Sequence, residues 1–195
     1  MSDPLIEEDK DATPLTEEER QQLIPSYITL RSELNEAEQR NILETEAWAF
    51  RQKRNVLSED FLKQLHKRMF GNVWRWAGEF RQSECNIGVE AYRISIDLRQ
   101  LIDDCRYWMD HKTYEPDEIA ARFSHRLVQI HPFPNGNGRH SRIAADLLLV
   151  SLGSERFSWG QANLVDANET RRRYIDALHA ADGHDYGPFF EFVRS

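Results

Sequence analysis

Cysteine is almost missing from this chain. Cys85 and Cys105 are its only two in 195 residues, and they form neither a metal-binding nor a redox spacing. That excludes a disulfide-stapled fold, and in the cytoplasm, where the chain is expected to reside, both thiols stay reduced. Long apolar runs are missing too. The longest lies within Ile143 to Leu152, which suits a buried helix and is too short to cross a bilayer. The acidic N-terminus offers no basic region followed by an apolar one, so a secretory leader is not expected. Positive charge is scarce: 25 Lys and Arg against 33 Asp and Glu leave a net charge of −8. Such a surface opposes nucleic acid or an anionic membrane as the main partner. With no internal repeat and no low-complexity block, residues 1–14 read as a mobile acidic tail and 15–195 as one domain. Within it, 15–54 form an N-terminal helical extension and 55–195 the core.

What is present is concentrated in one stretch, His131-Pro132-Phe133-Pro134-Asn135-Gly136-Asn137-Gly138-Arg139-His140-Ser141-Arg142. It runs into Ile143 to Leu152, which has almost no polar face and is expected to be a central, buried helix stopped at Gly153. The first turn of such a helix presents N–H groups without partners and the positive end of the macrodipole. Gly136 and Gly138 can take positive φ and let a ligand approach the backbone, so the expected guest is phosphate. Arg139 and Arg142, three apart on one face, can hold two phosphate groups with bidentate geometry, and Asn137 can add an amide donor. Pro132 and Pro134 restrict the chain around Phe133, whose ring is expected to turn inward and anchor the loop. His131 is left facing the anion site, with a pKa suited to taking a proton from a hydroxyl.

These residues resemble the signature of the Fic family (Fic/Doc superfamily), His-x-Phe-x-(Asp/Glu)-Gly-Asn-Gly-Arg-x-x-Arg, and the segment is similar to that of the mobile mystery protein B subgroup. Every fixed position matches except the acidic one, here Asn135. The resemblance implies a protein adenylyltransferase that moves AMP from ATP, with Mg²⁺ or Mn²⁺, to a Ser, Thr or Tyr hydroxyl of a target protein. His131 would be the base and Phe133 the core anchor. Gly136, Asn137 and Gly138 would cradle the inner phosphates, and Arg139 and Arg142 the outer ones. Asn135 stands where the family's carboxylate holds the metal; an amide is a weaker ligand for Mg²⁺, so a weakened metal site is expected. Gly138 favours nucleotidyl transfer over the branch of the superfamily that phosphorylates, which usually has Lys there.

Two further segments extend the resemblance. Trp74-Arg75-Trp76-Ala77-Gly78-Glu79-Phe80-Arg81 is similar to the Trp-Ala-Gly-x-(Phe/Tyr)-Arg stretch ahead of the family's target-binding flap. The next residues, Arg81 to Ile96, are the one plausible β region, a short hairpin with Ile87, Gly88 and Val89 at its tip. In the family that flap adds a target segment as an extra strand. Thr29 to Glu33 partly matches the family's inhibitory (Ser/Thr)-x-x-x-Glu-(Gly/Asn) motif, which makes Glu33 the candidate to occupy the Arg142 fork.

The remaining helices follow from capping and periodicity. Thr16 with Glu19 marks a short helix to about Ile24, and Asn35 with Glu38 marks one over Glu36 to Arg54. Ser58 caps a helix to about Phe70 whose inward positions are Phe61, Leu62, Leu65 and Met69. Leu98 to Lys112, Pro116 to Ile130, Asn168 to Ala180 and a short C-terminal helix docked by Phe189, Phe190 and Phe192 complete the set. His125 has no acidic or cysteine neighbour at ligand spacing and reads as a packed or exposed histidine. The run Arg171 to Arg173 reads as a solvated face. The expected fold is all-α, a Fic-type helical bundle around a central buried helix with one short β-hairpin flap.

Two classes of function fit. One is the adenylyltransferase, or a variant that uses another nucleotide donor or removes AMP. The other is a nucleotide-binding but catalytically impaired protein that grips or regulates a partner. Retention of His131 favours the enzyme, since a pure binder needs no base. A regulatory partner protein or a homo-oligomer is left open.

Overall fold

The computed structural model describes residues 17–85, 87–161 and 167–195. The middle of the molecule is the helix Asn137–Ser151, in which eleven of fifteen residues are buried. In chain order the helices are α1 (Glu17–Gln22), α2 (Arg31–Ala49), α3 (Glu59–Phe70), α4 (Ile94–His111), α5 (Pro116–Ile130), α6 (Asn137–Ser151), α7 (Ala167–Asp182) and α8 (Gly187–Arg194). The central helix α6 lies along α5 and against α3, while α2 packs on α3, α4 on α5, and α7 on α8. One hydrophobic cluster runs from Leu23 to Val193 and takes side chains from every one of these layers. None of the described helices is long and apolar enough to cross a membrane.

Local chemistry explains most boundaries. Ser58 accepts the Phe61 N–H at 3.2 Å to open α3, and Pro116 stands in the first turn of α5, where its missing N–H costs nothing. Asp185 accepts the Gly187 N–H ahead of α8. The Thr16 side of the first capping signal lies outside the described residues.

Helix α2 departs from expectation at both ends. It begins at Arg31, so Asn35 and Glu38 lie within it. The cap is Glu33, whose Oε2 accepts the N–H groups of Thr29 at 2.8 Å and Leu30 at 3.1 Å. At the other end Arg54 folds back and donates to the carbonyls of Trp48 and Ala49, so the helix stops five residues before Arg54.

Among the described residues of 81–96 the expected hairpin is not seen. No strand is found among the described residues, and an isolated antiparallel bridge joins Leu23 to Trp74. The backbone groups that a hairpin would pair with each other are taken elsewhere: the Val89 N–H donates to the Ile130 carbonyl at 3.3 Å, and the Val89 carbonyl accepts from Arg81. Ala91–Arg93 is a 3₁₀ turn that leads straight into α4, so α4 starts one turn earlier than its apolar spacing suggested. The flap is an irregular strap, not a sheet.

Candidate active site

The motif loop is braced from beneath. Phe133 has no exposed surface and stacks on the His66 ring, with centroids 3.7 Å apart and planes at 15°. Burying a phenyl ring of this kind stabilises by about 2–3 kcal/mol. Asn137 closes the loop: its Oδ1 accepts the Phe133 N–H at 2.9 Å and its Nδ2 donates to the Phe133 carbonyl at 2.8 Å. The Asn137 amide is therefore held by the Phe133 backbone through both its polar atoms, which was not part of its expected role as a phosphate donor. Gly136 has φ +78, and a Cβ there would lie 2.5 Å from the Phe70 ring. Gly138 is different. It sits in the first turn of α6 with ordinary φ, and nothing stands within 4 Å of where a Cβ would point, so the helix terminus is open to a ligand.

Two buried histidines hold this arrangement, and neither was anticipated. The Gly78 N–H donates to Nδ1 of His66 at 3.0 Å. Nε2 must then carry the proton and donate to the Asn135 carbonyl, also at 3.0 Å. Burial, followed by the nearby His140, drives the His66 pKa well below the usual imidazole range. His140 contacts the Leu62 carbonyl through Nε2, and burial takes its pKa down to about 4. Both rings are thus neutral spacers. The signal for His66 was present in its position four residues after Leu62 and three before Met69, on the inward stripe of α3.

Above the loop lies a cavity of about 320 Å³ between α2, the N-terminus of α6 and α7. Four arginines line it, Arg31, Arg139, Arg142 and Arg171, against a single carboxylate, Glu38. In a chain of net charge −8, that concentration of cations marks an anion site. Arg171 leaves the run that was read as solvated, whereas Arg172 and Arg173 remain exposed. Arg31 comes from α2 and was not expected here.

His131 stands at the edge of the same cavity. It caps the C-terminus of α5, just past Ile130, at φ 53 and ψ 61, a left-handed conformation that costs a side-chain-bearing residue about 1 kcal/mol. Burial lowers its pKa; the nearby Val128 backbone opposes that shift and the Arg81 charge adds to it. Its imidazole is therefore neutral, the form a general base needs, at neutral pH. Gly88 lies directly over it: a Cβ there would come within 2.7 Å of both the His131 Cβ and the Arg81 guanidinium. Ile87 beside it is 61% exposed, and Val89 is tied down by the bonds already described. The three flap residues thus share one place above the base, without a β ladder.

At the position where the motif's acid would stand, the side chain is the neutral Asn135 amide, a weaker ligand for a hard cation than a carboxylate. The Asn135 Oδ1 accepts the Gly136 N–H at 2.6 Å, which uses one of its two lone pairs. Among the described residues no three His, Cys, Asp or Glu side chains converge as a cation site.

Among the described residues Glu33 makes no ion pair with a motif arginine. Its side chain is exposed, caps α2, and has its pKa lowered first by the Thr29 N–H and then by the Leu30 N–H. Glu38 meets the first motif arginine, Arg139, and not the Arg142 fork expected for Glu33. Its Oε2 lies 2.6 Å from Nη1 of Arg139, and its Oε1 accepts from the Trp74 indole at 2.5 Å. Arg139 also lies over the Phe70 ring at 4.9 Å. Sequence offered a hint: Leu34, Glu38, Ile42, Thr45 and Ala49 form one buried stripe, with an acid in its midst. His125, on α5, is a packed residue held by Asp182 at 2.9 Å and the Tyr186 hydroxyl at 3.0 Å, so its acidic partner lies on α7 and not nearby in sequence.

Residues 56–149, which carry the loop, the strap and both histidines, match the Fic/DOC family. They form a Fic domain. The chain is 31% identical over 142 residues to the protein adenylyltransferase Fic of Aedes aegypti, an alignment covering 71% of this chain and 27% of that one. It thus spans about a quarter of the length of that curated relative. In structure the Fic domain resembles Fic-1 (residues 134–508) of C. elegans, with a TM-score of 0.67 and 25% identity over 88% of this chain and 50% of the other. It also resembles BepC of Bartonella tribocorum with bound AMPPNP, with a TM-score of 0.68 and 18% identity over 100% and 96% of the two chains.

Proposed function

We propose that this protein is an adenylyltransferase that moves AMP from ATP to a hydroxyl of a target protein. The observation that carries the reading is the place of His131 at the edge of an arginine-lined cavity over the N-terminus of α6. The activity carried by the insect relative agrees with it. The N–H groups that open α6 and the arginines receive the phosphates. A target segment laid along Ile87 to Val89 brings its Ser, Thr or Tyr hydroxyl to His131. The imidazole accepts the hydroxyl proton, the oxygen bonds to the α-phosphorus, and the α–β bridging bond breaks to release pyrophosphate. Catalysis comes chiefly from positioning and from charge neutralisation by fixed donors. Glu38 restrains the reaction by holding Arg139 until nucleotide displaces it.

Intact-protein mass spectrometry after incubation with ATP, alone and with cell lysate, tests the reading. An AMP-sized gain on this chain or on a lysate protein is the expected result. Nucleotide binding without any gain from any nucleoside triphosphate would move the protein to the class of nucleotide-dependent partner binders, a reading favoured by the neutral Asn135 amide and the Glu38–Arg139 pair.

Asn135→Asp restores an anionic oxygen at the motif position. It is expected to make transfer both faster and more dependent on Mg²⁺, since the hard cation prefers a carboxylate. A rate unchanged or lower at every Mg²⁺ concentration contradicts this view of the position.

A further inference from the structure

Arg81 is the most deeply buried cation of the described chain, with its side chain 1% exposed. A guanidinium is always charged and brings five N–H donors in a rigid fork. Here the fork is divided between two segments. Nε donates to the His131 carbonyl at 2.7 Å, and one terminal nitrogen reaches the Ile130 carbonyl at 3.5 Å. On the opposite side the terminal nitrogens donate to the carbonyls of Ser83, at 3.1 Å, and Val89. Its carboxylate neighbour, Glu84, is 3.9 Å away and 66% exposed, too distant and too wet to be the main counter-charge. The chief compensation is the carbonyl end of α5, where the helix dipole is negative. The main chain adds another tie, from the Arg81 N–H to the Pro132 carbonyl at 2.9 Å.

These contacts bracket the one strained residue of the active site. His131 holds its left-handed conformation with its N–H on Leu127 at 3.2 Å and its carbonyl on Arg81. The strap is fastened to the same guanidinium, and Gly88 lies against both. Strained backbone of this kind persists only where the surroundings over-determine it.

We propose that Arg81 is a positioning residue that couples target capture to catalysis, joining the strap to the carbonyl of His131 so that a target seated on the strap meets a base already in place. The proposal rests on the adenylyltransferase reading for its catalytic consequence, though not for the coupling itself. Lysine at this position would keep the charge but reach only one side, because a single ammonium cannot span the carbonyls of two segments.

The test compares the full chain with Arg81→Lys and Arg81→Gln by three readouts. Hydrogen–deuterium exchange is expected to rise together at residues 83–91 and 131–133 in both variants, with α3 and α6 protected as in the wild type. ATP affinity, measured by calorimetry, is expected to stay within about twofold, because no Arg81 donor reaches the phosphates. Transfer at saturating ATP is expected to fall about a hundredfold in kcat with little change in KM for ATP, as a small displacement of a reacting group costs. Wild-type turnover in Arg81→Lys would overturn the proposal, by showing that charge alone suffices. Exchange rising across α3 and α6 together with lost nucleotide affinity would overturn it too, by making Arg81 a general scaffold residue. If the wild type transfers no AMP, the functional reading fails while the exchange pattern still decides the coupling.

Discussion

His131→Asn is expected to lower AMP transfer by about 10²- to 10⁴-fold, the usual contribution of a general base, with ATP affinity nearly unchanged. Asparagine is the informative replacement because it tolerates the left-handed backbone that His131 adopts, whereas alanine would add strain to the loss of the imidazole. The wild-type pH profile follows from the same environment. Burial is the main cause that lowers the His131 pKa, so the neutral, proton-accepting form persists below the ordinary imidazole range. Transfer should therefore be flat around neutrality and fall only as pH drops through that lowered value; the acid limb should vanish in the asparagine variant. Stopped-time assays at fixed ionic strength across acid and neutral pH measure both effects. A variant with more than a few per cent of wild-type rate would show that another group takes the proton.

Glu38→Gln is expected to act in the opposite direction. The glutamine oxygen can still accept from the Trp74 indole, but the ion pair to Arg139 is lost. Breaking a buried pair from one side leaves a charge without compensation. Arg139 retains a little solvent contact and its place over Phe70, so the cost should be roughly 1–2 kcal/mol, a drop in Tm of about 3–6 °C. ATP then supplies the missing anion. Its affinity should rise about ten- to a hundredfold, the worth of a charge-assisted hydrogen bond no longer contested, and self-modification should rise with it. Thermal shifts with and without ATP give both numbers. Equal affinity in wild type and variant would mean that Glu38 is an ordinary structural partner of Arg139. Glu33→Gln should instead weaken the start of α2 and leave ATP affinity alone.

The contrast between Glu33 and Glu38 shows where sequence reasoning stops. Helices announced by local chemistry were legible: Ser58 ahead of α3, Pro116 in α5 and the unbroken apolar face of α6 each depend on residues a turn or two away. The His-to-Arg motif was legible for the same reason, since one loop and one helix end bring it together. Glu38 and Arg139 are 101 positions apart, and no local spacing reports their contact. Arg81 and His131 are 50 apart, His66 and Asn135 are 69 apart, and the Asp182 that holds His125 is 57 positions away. The strap between Arg81 and Glu90 had a strand-like composition, yet its hydrogen bonds go to Arg81 and to α5, a choice that only the packed structure makes. Asn137 teaches the same lesson within the motif: an amide beside glycines suggests a ligand donor, but four residues back the Phe133 backbone claims both its atoms.

The central claim is that the α-phosphoryl group of ATP, with its nucleoside, passes to a protein hydroxyl under the action of His131. Incubation of wild type and His131→Asn with ATP radiolabelled at either the α- or the γ-phosphate, followed by recovery of protein, tests it most directly. The expected result is protein-bound label from α-labelled ATP only, and only with the wild type. Label from γ-labelled ATP, or α-label that persists without His131, would contradict the account.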